Sequence, residues 1–501
     1  MASHLALCLL AFLVTPSDAF WRMPCASPVV VERSDPIINP GAVSGHTHTI
    51  MGGNGFGFAM TYADTQASTC TSCIVTKDLS NYWVPQLYYK GQDGTFTSVN
   101  QQGGVVVYYI QRADPLDPEY SKGLLAFPPG FRMVTGNPFL RSFNSSSLEA
   151  AAITYNCLGT NNPQTNGFPN YNCPGGLRTQ VFFPSCWDGV NLDSADHKSH
   201  MAYPSQTDTG HCPPTHPKRF ISLFYEIVWN TPDFANKWYG NKQPFVWAMG
   251  DDTGYGYHGD FVNGWDVPTL QKAVNTCTDD SGVIQLCPVF TLQSDAAQQG
   301  CKVPPAVHEQ VLGTLPALPG CNPVQSGPAN AVPKSGCGAT TTIGAPIWPY
   351  TDVTKTKNFK YIGCGSDPAG QSRTLTGASK TDASGMTVES CIDFCNSNGY
   401  SIAGLEYTTQ CFCGNSVAAD RAPVSGRVGA CAMPCAGNSG QVCGGPAMLS
   451  LYQKCSSGSC TNIKYAYNSG SGVSMSKSRR QERRRPRTLD DSESANTSLL
   501  V

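Results

Sequence analysis

Short apolar runs separated by Gly, Pro, Asn and Asp fill residues 20–300. Residues 105–110, 220–229 and 244–249 are rich in β-branched and aromatic side chains, a composition typical of β-strands. In the second run, alternation assigns Leu223, Tyr225, Ile227 and Trp229 to one face, and Phe224, Glu226 and Val228 to the other. Two readings of Glu226 stay open: a carboxyl group among apolar neighbours, whose pKa would be raised, or a residue at an edge or facing solvent.

Helical periodicity is scarce in the same region, and the best candidates are residues 147–153 and 267–276. Asp266 directly precedes the second candidate and is placed to act as its N-cap. We therefore predict a mainly β fold for residues 20–300, sandwich-like, with a barrel as the alternative. Residues 301–357, rich in Pro, Gly, Ala and Thr, predict an irregular arm and linker.

The two chain ends have different compositions. Residues 1–19 combine a short apolar run with small side chains at Ser17 and Ala19, a pattern typical of a secretory signal peptide. Residues 455–501 predict a disordered tail that contains a basic run. No apolar stretch is long enough to predict a transmembrane helix. With 14% charged residues and a net charge of -2, the chain shows no basic domain of the kind that nucleic-acid binders carry.

The cysteines indicate an oxidising compartment. One of the 23 cysteines, Cys8, lies in the predicted signal, which leaves 22. They divide evenly into groups at residues 25–337, 364–443 and 455–460, as disulfide-closed units require, although the pairing itself stays open. Asn144 and Asn496 begin N-glycosylation sequons. We predict a secreted glycoprotein that is extracellular or associated with the cell wall.

Residues 358–454 carry a specific cysteine pattern: Cys391-x3-Cys395, Cys411-x-Cys413, Cys431-x3-Cys435 and Cys443-Gly-Gly445. With the opening Tyr361 to Cys364 and the closing Leu451-Tyr452, this segment resembles a WSC domain. The resemblance implies a small α+β fold, one helix against a sheet held by four disulfides, that binds fungal-wall or plant polysaccharide. Zinc is the alternative use of such spacings, which oxidation outside the cell disfavours. Candidate sugar-stacking residues are Tyr400, Tyr407, Phe412 and Tyr452.

Motifs at residues 20–25, 35–48, 193–204, 210–213 and 250–266 together resemble the DUF1996 family of secreted fungal proteins. The resemblance covers about residues 20–280 and implies architecture and compartment, but no reaction. Within these motifs His46 and His48 share one strand face if extended, and His197 and His200 share one face of a helical turn. If the motifs converge, they predict a divalent-metal site for which we name His46, His48, His200 and His258.

Cleavage of a glycosidic bond is the second chemistry these motifs offer, since it usually needs two carboxyl groups. The catalytic candidates are Glu226, Asp251 and Asp260, with His48 and His258 as further acid–base groups. Aromatic candidates for substrate contact in the large region are Trp83, Tyr203, Tyr257 and Trp265.

The sequence thus predicts a secreted carbohydrate-active protein that acts on, or binds to, cell-wall glucan or plant glycan. A hydrolase and a lyase are both compatible with the candidate residues. Two alternatives stay open: a non-catalytic, wall-associated glycan-binding protein, and a secreted protein that uses the clustered histidines to bind metal.

Overall fold

A computed structural model describes residues 19–344, 346, 350–368, 370–423, 431, 433–456 and 460–463. Nearly all of the predicted signal peptide, most of the predicted tail and the Asn496 sequon lie outside the described residues. Asn144, the other sequon residue, is exposed.

The N-terminal part of the chain is built from short strands. In chain order they are β1 (Phe20–Cys25), β2 (Val30–Ser34), β3 (Val43–Gly52), β4 (Asn81–Pro85), β5 (Leu87–Lys90), β6 (Phe96–Ser98), β7 (Gln101–Ile110), β8 (Arg132–Gly136), β9 (Ile153–Cys157), β10 (Leu177–Phe182), β11 (Cys186–Trp187), β12 (Met201–Ala202), β13 (Lys218–Arg219), β14 (Ser222–Trp229), β15 (Phe245–Trp247), β16 (His258–Val262) and β17 (Thr314–Leu315). The helices are α1 (Tyr62–Gln66), α2 (Leu148–Ala151), α3 (Val267–Thr276) and α4 (Asp295–Gln299), with 3-10 turns at Tyr120–Lys122, Thr231–Lys237 and Ile284–Leu286.

Two antiparallel five-stranded sheets pack face to face. Sheet 1 has the order β1-β7-β14-β10-β9 and sheet 2 the order β2-β3-β4-β16-β8. Between them Tyr82 of sheet 2 packs edge-on against Tyr225 of sheet 1 at 5.6 Å, and its hydroxyl lies 2.8 Å from that of Tyr109. The sheets are open over the described residues, so the sandwich prediction is confirmed over the barrel alternative.

The predicted alternation along β14 is present. Leu223, Tyr225, Ile227 and Trp229 are at most 2% exposed, whereas Phe224, Glu226 and Val228 are only half-buried. The predicted helix at residues 267–276 is also present as α3, where the Asp266 carboxylate accepts a hydrogen bond from the Thr269 amide. Both features follow from local side-chain chemistry.

The outer face of sheet 2 is covered by loops and by the arm that follows α4. Ile50, Trp83, Val134 and Val262 of the sheet form a second apolar cluster with residues that include Phe56, Val303 and Val307. A disulfide between Cys70 and Cys301 anchors the start of the arm. The amides of Ala306 and Val307 then donate to the Glu32 carboxylate at 2.9 and 3.2 Å. Over its described residues the arm is largely irregular, and its start is packed against the sheet.

The C-terminal unit contains β18 (Phe359–Ser366), β19 (Ser379–Thr381), α5 (Val388–Ser397), β20 (Ile402–Glu406), β21 (Gln410–Gly414), β22 (Pro434–Cys435), β23 (Asn438–Val442) and β24 (Met448–Lys454). Its main sheet has the order β18-β24-β20-β21-β19. Among the described residues its disulfides are Cys364–Cys431, Cys391–Cys411, Cys395–Cys413 and Cys435–Cys443. Two of them join α5 to β21, so these sulfurs are not zinc ligands.

Asp78 gives the sandwich a testable pH dependence. Its buried carboxylate accepts hydrogen bonds from the Tyr82 hydroxyl at 2.5 Å and the Ser80 amide at 3.0 Å. Burial raises the pKa of Asp78 to about 6, so the folded state keeps this proton where the unfolded chain has lost it. The resulting stabilisation is full at low pH and disappears as the pH rises through about 6. We expect the unfolding free energy of the wild type, relative to Asp78→Asn, to fall by up to about 1.4 kcal/mol per pH unit between about pH 4 and 6.

Urea unfolding of both proteins at several pH values, followed by tryptophan fluorescence, measures this difference. The exposed Asp280→Asn is the matched control and should follow the wild type at every pH. A difference between the wild type and Asp78→Asn that stays constant with pH would contradict the assignment.

Candidate functional site

Three histidine side chains meet on the outer face of sheet 2. His46 and His48 lie two residues apart on β3, and His258 begins β16 on the far side of β4. The Nε2 atom of His258 lies 3.0 Å from that of His46 and 3.4 Å from that of His48. One nitrogen from each ring falls within 4.8 Å of the other two.

The other ring nitrogens of two of these histidines are held by the backbone. Nδ1 of His48 lies 3.0 Å from the Ser34 carbonyl, and Nδ1 of His258 lies 3.0 Å from the Gly256 carbonyl. Because a carbonyl only accepts, we assign the proton of each ring to Nδ1, which leaves a lone pair on each Nε2. Two lone pairs facing each other at 3.4 Å repel unless a cation lies between them. Outer carbonyl groups orient metal-binding histidines in the same way, so these three rings could hold a metal ion.

The spacing of the nitrogens suits a tetrahedral metal ion. Zinc–nitrogen bonds of about 2.0–2.1 Å at tetrahedral angles place neighbouring ligand nitrogens about 3.3 Å apart. Burial lowers the pKa of His258 to about 4 and lowers those of His46 and His48 well below the usual value, so all three rings are neutral at neutral pH. His48 is fully buried, and His46 is partly buried. Three nitrogens are one fewer than the four ligands of a closed structural zinc site, so an ion held by these histidines would keep a position for a further ligand.

Gly136 allows β8 to approach His258. Gly136 of β8 is paired with His258 of β16 in the antiparallel ladder of sheet 2, and its φ of +86° favours glycine. A Cβ at this position would lie 2.9 Å from the Cβ of His258 and 2.5 Å from the Tyr257 carbonyl oxygen. Any side chain here would displace the histidine.

A buried ion pair shapes the loop before His258. The Asp251 carboxylate accepts hydrogen bonds from the Thr253 amide at 2.8 Å and the Gly256 amide at 2.7 Å, and it lies 3.5 Å from Nε of Arg141. Both charged side chains are fully buried. Since the Gly256 carbonyl orients the His258 ring, Asp251 and Arg141 are positioning residues for this site.

Asp260 lies on the same face of β16 as His258. It is 1% exposed, and its Oδ2 has no hydrogen-bond partner among the described residues. Burial, with a smaller contribution from the negative charge of Asp35, raises the pKa of Asp260 well above its usual value. A buried polar atom without a partner is uncommon, so Asp260 is not explained by packing alone.

The structure does not bring every predicted residue to this cluster. His200 is buried elsewhere, with Nδ1 2.8 Å from the Ser194 hydroxyl and Nε2 2.8 Å from the Arg132 carbonyl, so both its nitrogens are engaged. Glu226 lies on the outer face of sheet 1, on the opposite side of the sandwich from Asp260. The structure therefore does not place Glu226 beside Asp251 and Asp260 as a carboxyl pair.

The aromatic candidates divide by burial. Trp83, Tyr257 and Trp265 are at most 1% exposed and pack in the interior. The Tyr203 hydroxyl is engaged by the Thr135 hydroxyl at 2.6 Å and the Phe182 carbonyl at 2.8 Å. In the C-terminal unit Tyr452 is buried and Tyr400 is half-buried, but Tyr407 is 51% exposed in the turn between β20 and β21.

Sequence reasoning missed Arg141, Gly136 and the arm as parts of this site. A lone arginine in a loop carries no signal that it will be buried against Asp251. The arm reaches the start of β3 through the Asn322 amide, which donates to the Gly45 carbonyl at 2.8 Å. The glycines around Asp251 were the one readable signal, since they mark a tight loop before His258.

Comparisons with known proteins recover both parts of the chain. Residues 35–265 match the family described as Domain of unknown function (DUF1996), and residues 361–445 match the WSC domain. A WSC domain-containing protein of Arthroderma benhamiae is 40% identical over 112 residues, which are 22% of this chain and 12% of that protein. Kremen protein 2 of Homo sapiens is 35% identical over 124 residues, or 25% of this chain and 26% of that protein. Both resemblances predicted from the sequence are confirmed, while these relatives are each matched over only a small part of their length.

Among the described residues, no helix has both the length and the apolar character needed to cross a bilayer.

Proposed function

Starting from a chain that carries a DUF1996 region followed by a WSC domain, we propose a secreted, wall-associated protein that cleaves polysaccharide at a metal centre. The WSC domain holds the chain on glycan, and the sandwich binds a divalent transition-metal ion on His46, His48 and His258. The convergence of three Nε2 atoms, two of them oriented by backbone carbonyls, is the observation that carries the proposal.

This ligand set supplies a defined chemistry. Three neutral imidazoles bind zinc or copper and leave a coordination position for water. An ion held by His46, His48 and His258 would supply a water of lowered pKa, which could serve as a nucleophile or base without a second carboxylate. Glu226 lies on the other sheet from Asp260 and cannot pair with it, whereas the metal chemistry needs no contribution from Glu226.

The glycan-binding part of the proposal rests on the WSC match. The paired cysteines of the WSC domain support an oxidising environment outside the cell, where disulfides persist. Attachment to an insoluble polymer raises the local concentration of bonds available to the sandwich.

Product analysis tests the cleavage. The full-length protein, stripped by chelation and reloaded with zinc, copper or manganese, is incubated with soluble fungal glucans and plant polysaccharides. New reducing ends or unsaturated products are expected with one metal and should be lost in the chelated protein and in His258→Ala. His211→Ala, which changes an exposed histidine outside the cluster, should retain activity. If no metal yields products from any polysaccharide, the catalytic part of the proposal fails.

Tyr407 provides the test of glycan binding. Tyr407 is 51% exposed and lies in the turn between β20 and β21. We expect Tyr407→Ala to weaken retention on insoluble wall glucan by about tenfold, because a flat ring stacks on the apolar face of a sugar. Tyr407→Phe keeps the ring and should bind like the wild type. Pull-down depletion curves measure both, and equal retention of Tyr407→Ala and the wild type would contradict this role.

A further inference from the structure

A cavity lies on the outer face of sheet 1, on the opposite side of the sandwich from the histidine cluster. Its volume is about 440 Å³. Its lining comes from strands β1, β7, β9, β10 and β14 of sheet 1 and from residues 112, 151–152, 164 and 207–208. None of the histidine ligands contributes to it.

The lining on sheet 1 is rich in aromatic rings. The Phe224 ring lies 5.2 Å from the rings of both Tyr108 and Phe182, and Phe20 stacks on Tyr108 at 6.1 Å. Phe20, Tyr108 and Phe224 are half-buried although they stand on a sheet face, so parts of their rings are open to the cavity. Such a surface favours a ligand with a flat apolar face.

Polar groups of fixed orientation stand among these rings. The Glu226 carboxylate accepts hydrogen bonds from the Tyr108 hydroxyl at 2.5 Å and from the Gln180 amide nitrogen at 2.9 Å. The Gln180 carbonyl oxygen in turn accepts from the Thr154 hydroxyl at 3.3 Å. Arg178 lies 3.3 Å from Glu226 and balances its charge. Glu226 thus acts as a positioning residue for two side chains that line the cavity.

We propose that this cavity is a glycan subsite that binds one or two neutral sugar units of a polysaccharide chain. Its size suits sugar rings rather than a folded protein element, and aromatic rings beside an amide and hydroxyls match the two faces and the edge of a pyranose. The lining charges, Arg112 and Asp208, are of opposite sign and give no preference for an anionic sugar. The proposal shares with the proposed function the premise that the partner is a glycan, but it does not depend on the metal.

Calorimetry on the full-length, oxidised protein tests the subsite, with neutral β-glucan, xylan and mannan hexasaccharides as probes. All variants carry Tyr407→Ala, which is expected to weaken glycan binding by the WSC domain. In that background we expect Phe224→Ala and Phe224→Leu each to lower the affinity for the tightest-binding hexasaccharide by about tenfold, because both substitutions remove an aromatic face. Val228→Ala, on the same strand and the same outer face but outside the cavity, is the matched control. Phe224→Leu keeps most of the side-chain volume, so its effect can be attributed to the lost ring rather than to misfolding.

Hydrogen exchange locates the bound probe. Protection of residues 101–110, 177–182 and 222–229 is expected in the Tyr407→Ala background. Equal affinities of the Phe224 and Val228 variants, or protection confined to residues 361–445, would overturn the subsite while leaving WSC binding intact. Absence of binding by any hexasaccharide to the wild type would instead remove the glycan premise of both proposals. Zinc content, which neither Phe224 variant should change, reports on the metal centre separately.

Discussion

Replacing His258 by alanine is expected to abolish tight metal binding by the full-length protein. The wild type, loaded with zinc and dialysed, should retain one equivalent on His46, His48 and His258. Loss of an outer partner of a metal-binding histidine alone weakens metal affinity roughly 10- to 100-fold, so loss of a ligand should exceed about 100-fold. His48→Ala should have the same effect, since the His48 ring is held at the Ser34 carbonyl with Nε2 directed at the cluster.

Elemental analysis and competition with a chromogenic chelator measure this effect in untagged protein. His211→Ala is the matched control because it removes an exposed histidine and should keep the full equivalent. Near-ultraviolet circular dichroism checks that the variants remain folded. Sub-stoichiometric metal in the wild type with zinc, copper and manganese alike, or full metal content in His258→Ala, would refute the site.

Replacing Arg141 by methionine is expected to lower the free energy of unfolding by about 3–5 kcal/mol, because a buried carboxylate then loses its counter-ion. The Arg141 and Asp251 side chains are both fully buried. The Arg141 guanidinium also donates to the carbonyls of Gln325 at 2.7 Å and Pro138 at 2.8 Å, which would lose their partner. Since Asp251 holds the Gly256 amide and the Gly256 carbonyl orients His258, zinc affinity should fall as well.

Denaturant unfolding with the disulfides intact gives the stability change, and chelator competition gives the affinity change. Lys122→Met is the matched control, because the lysine is exposed and its partner Glu119 is only partly buried, and such a surface pair contributes at most about 1 kcal/mol. If Arg141→Met lowers the free energy of unfolding by no more than about 1 kcal/mol, the buried pair is not needed for stability. Reduced stability with unchanged zinc affinity would separate Arg141 from the histidine cluster.

Much of the fold could be predicted because its signals are local. The alternation along residues 223–229 became the buried and half-buried faces of β14, and Asp266 became the N-cap of α3. The even cysteine groups also followed, since every described disulfide closes within its own group, including Cys25–Cys73 and Cys391–Cys411. Strand composition could not give the order in which strands join a sheet, because that order depends on contacts between distant segments.

The candidate site could be predicted only in part, because only some of its signals are local. The two-residue spacing of His46 and His48 predicted a shared face, but nothing in the sequence distinguished His258 from His200 as the third member. His200 had the more familiar spacing, from His197, yet its ring nitrogens are engaged by Ser194 and the Arg132 carbonyl. His258 is 210 residues from His48 and reaches it only across β4.

The β-rich composition, the cysteine groups and the pair of imidazoles on one strand face can be read from the chain alone, because each depends on residues close together in it. The folded arrangement was needed to show that β16 lies one strand away from β3, that Arg141 is buried against Asp251, and that Glu226 faces away from Asp260. These outcomes depend on sheet order and on which sheet face each loop covers. Both are set by the packing of segments far apart in the chain, which no local pattern encodes.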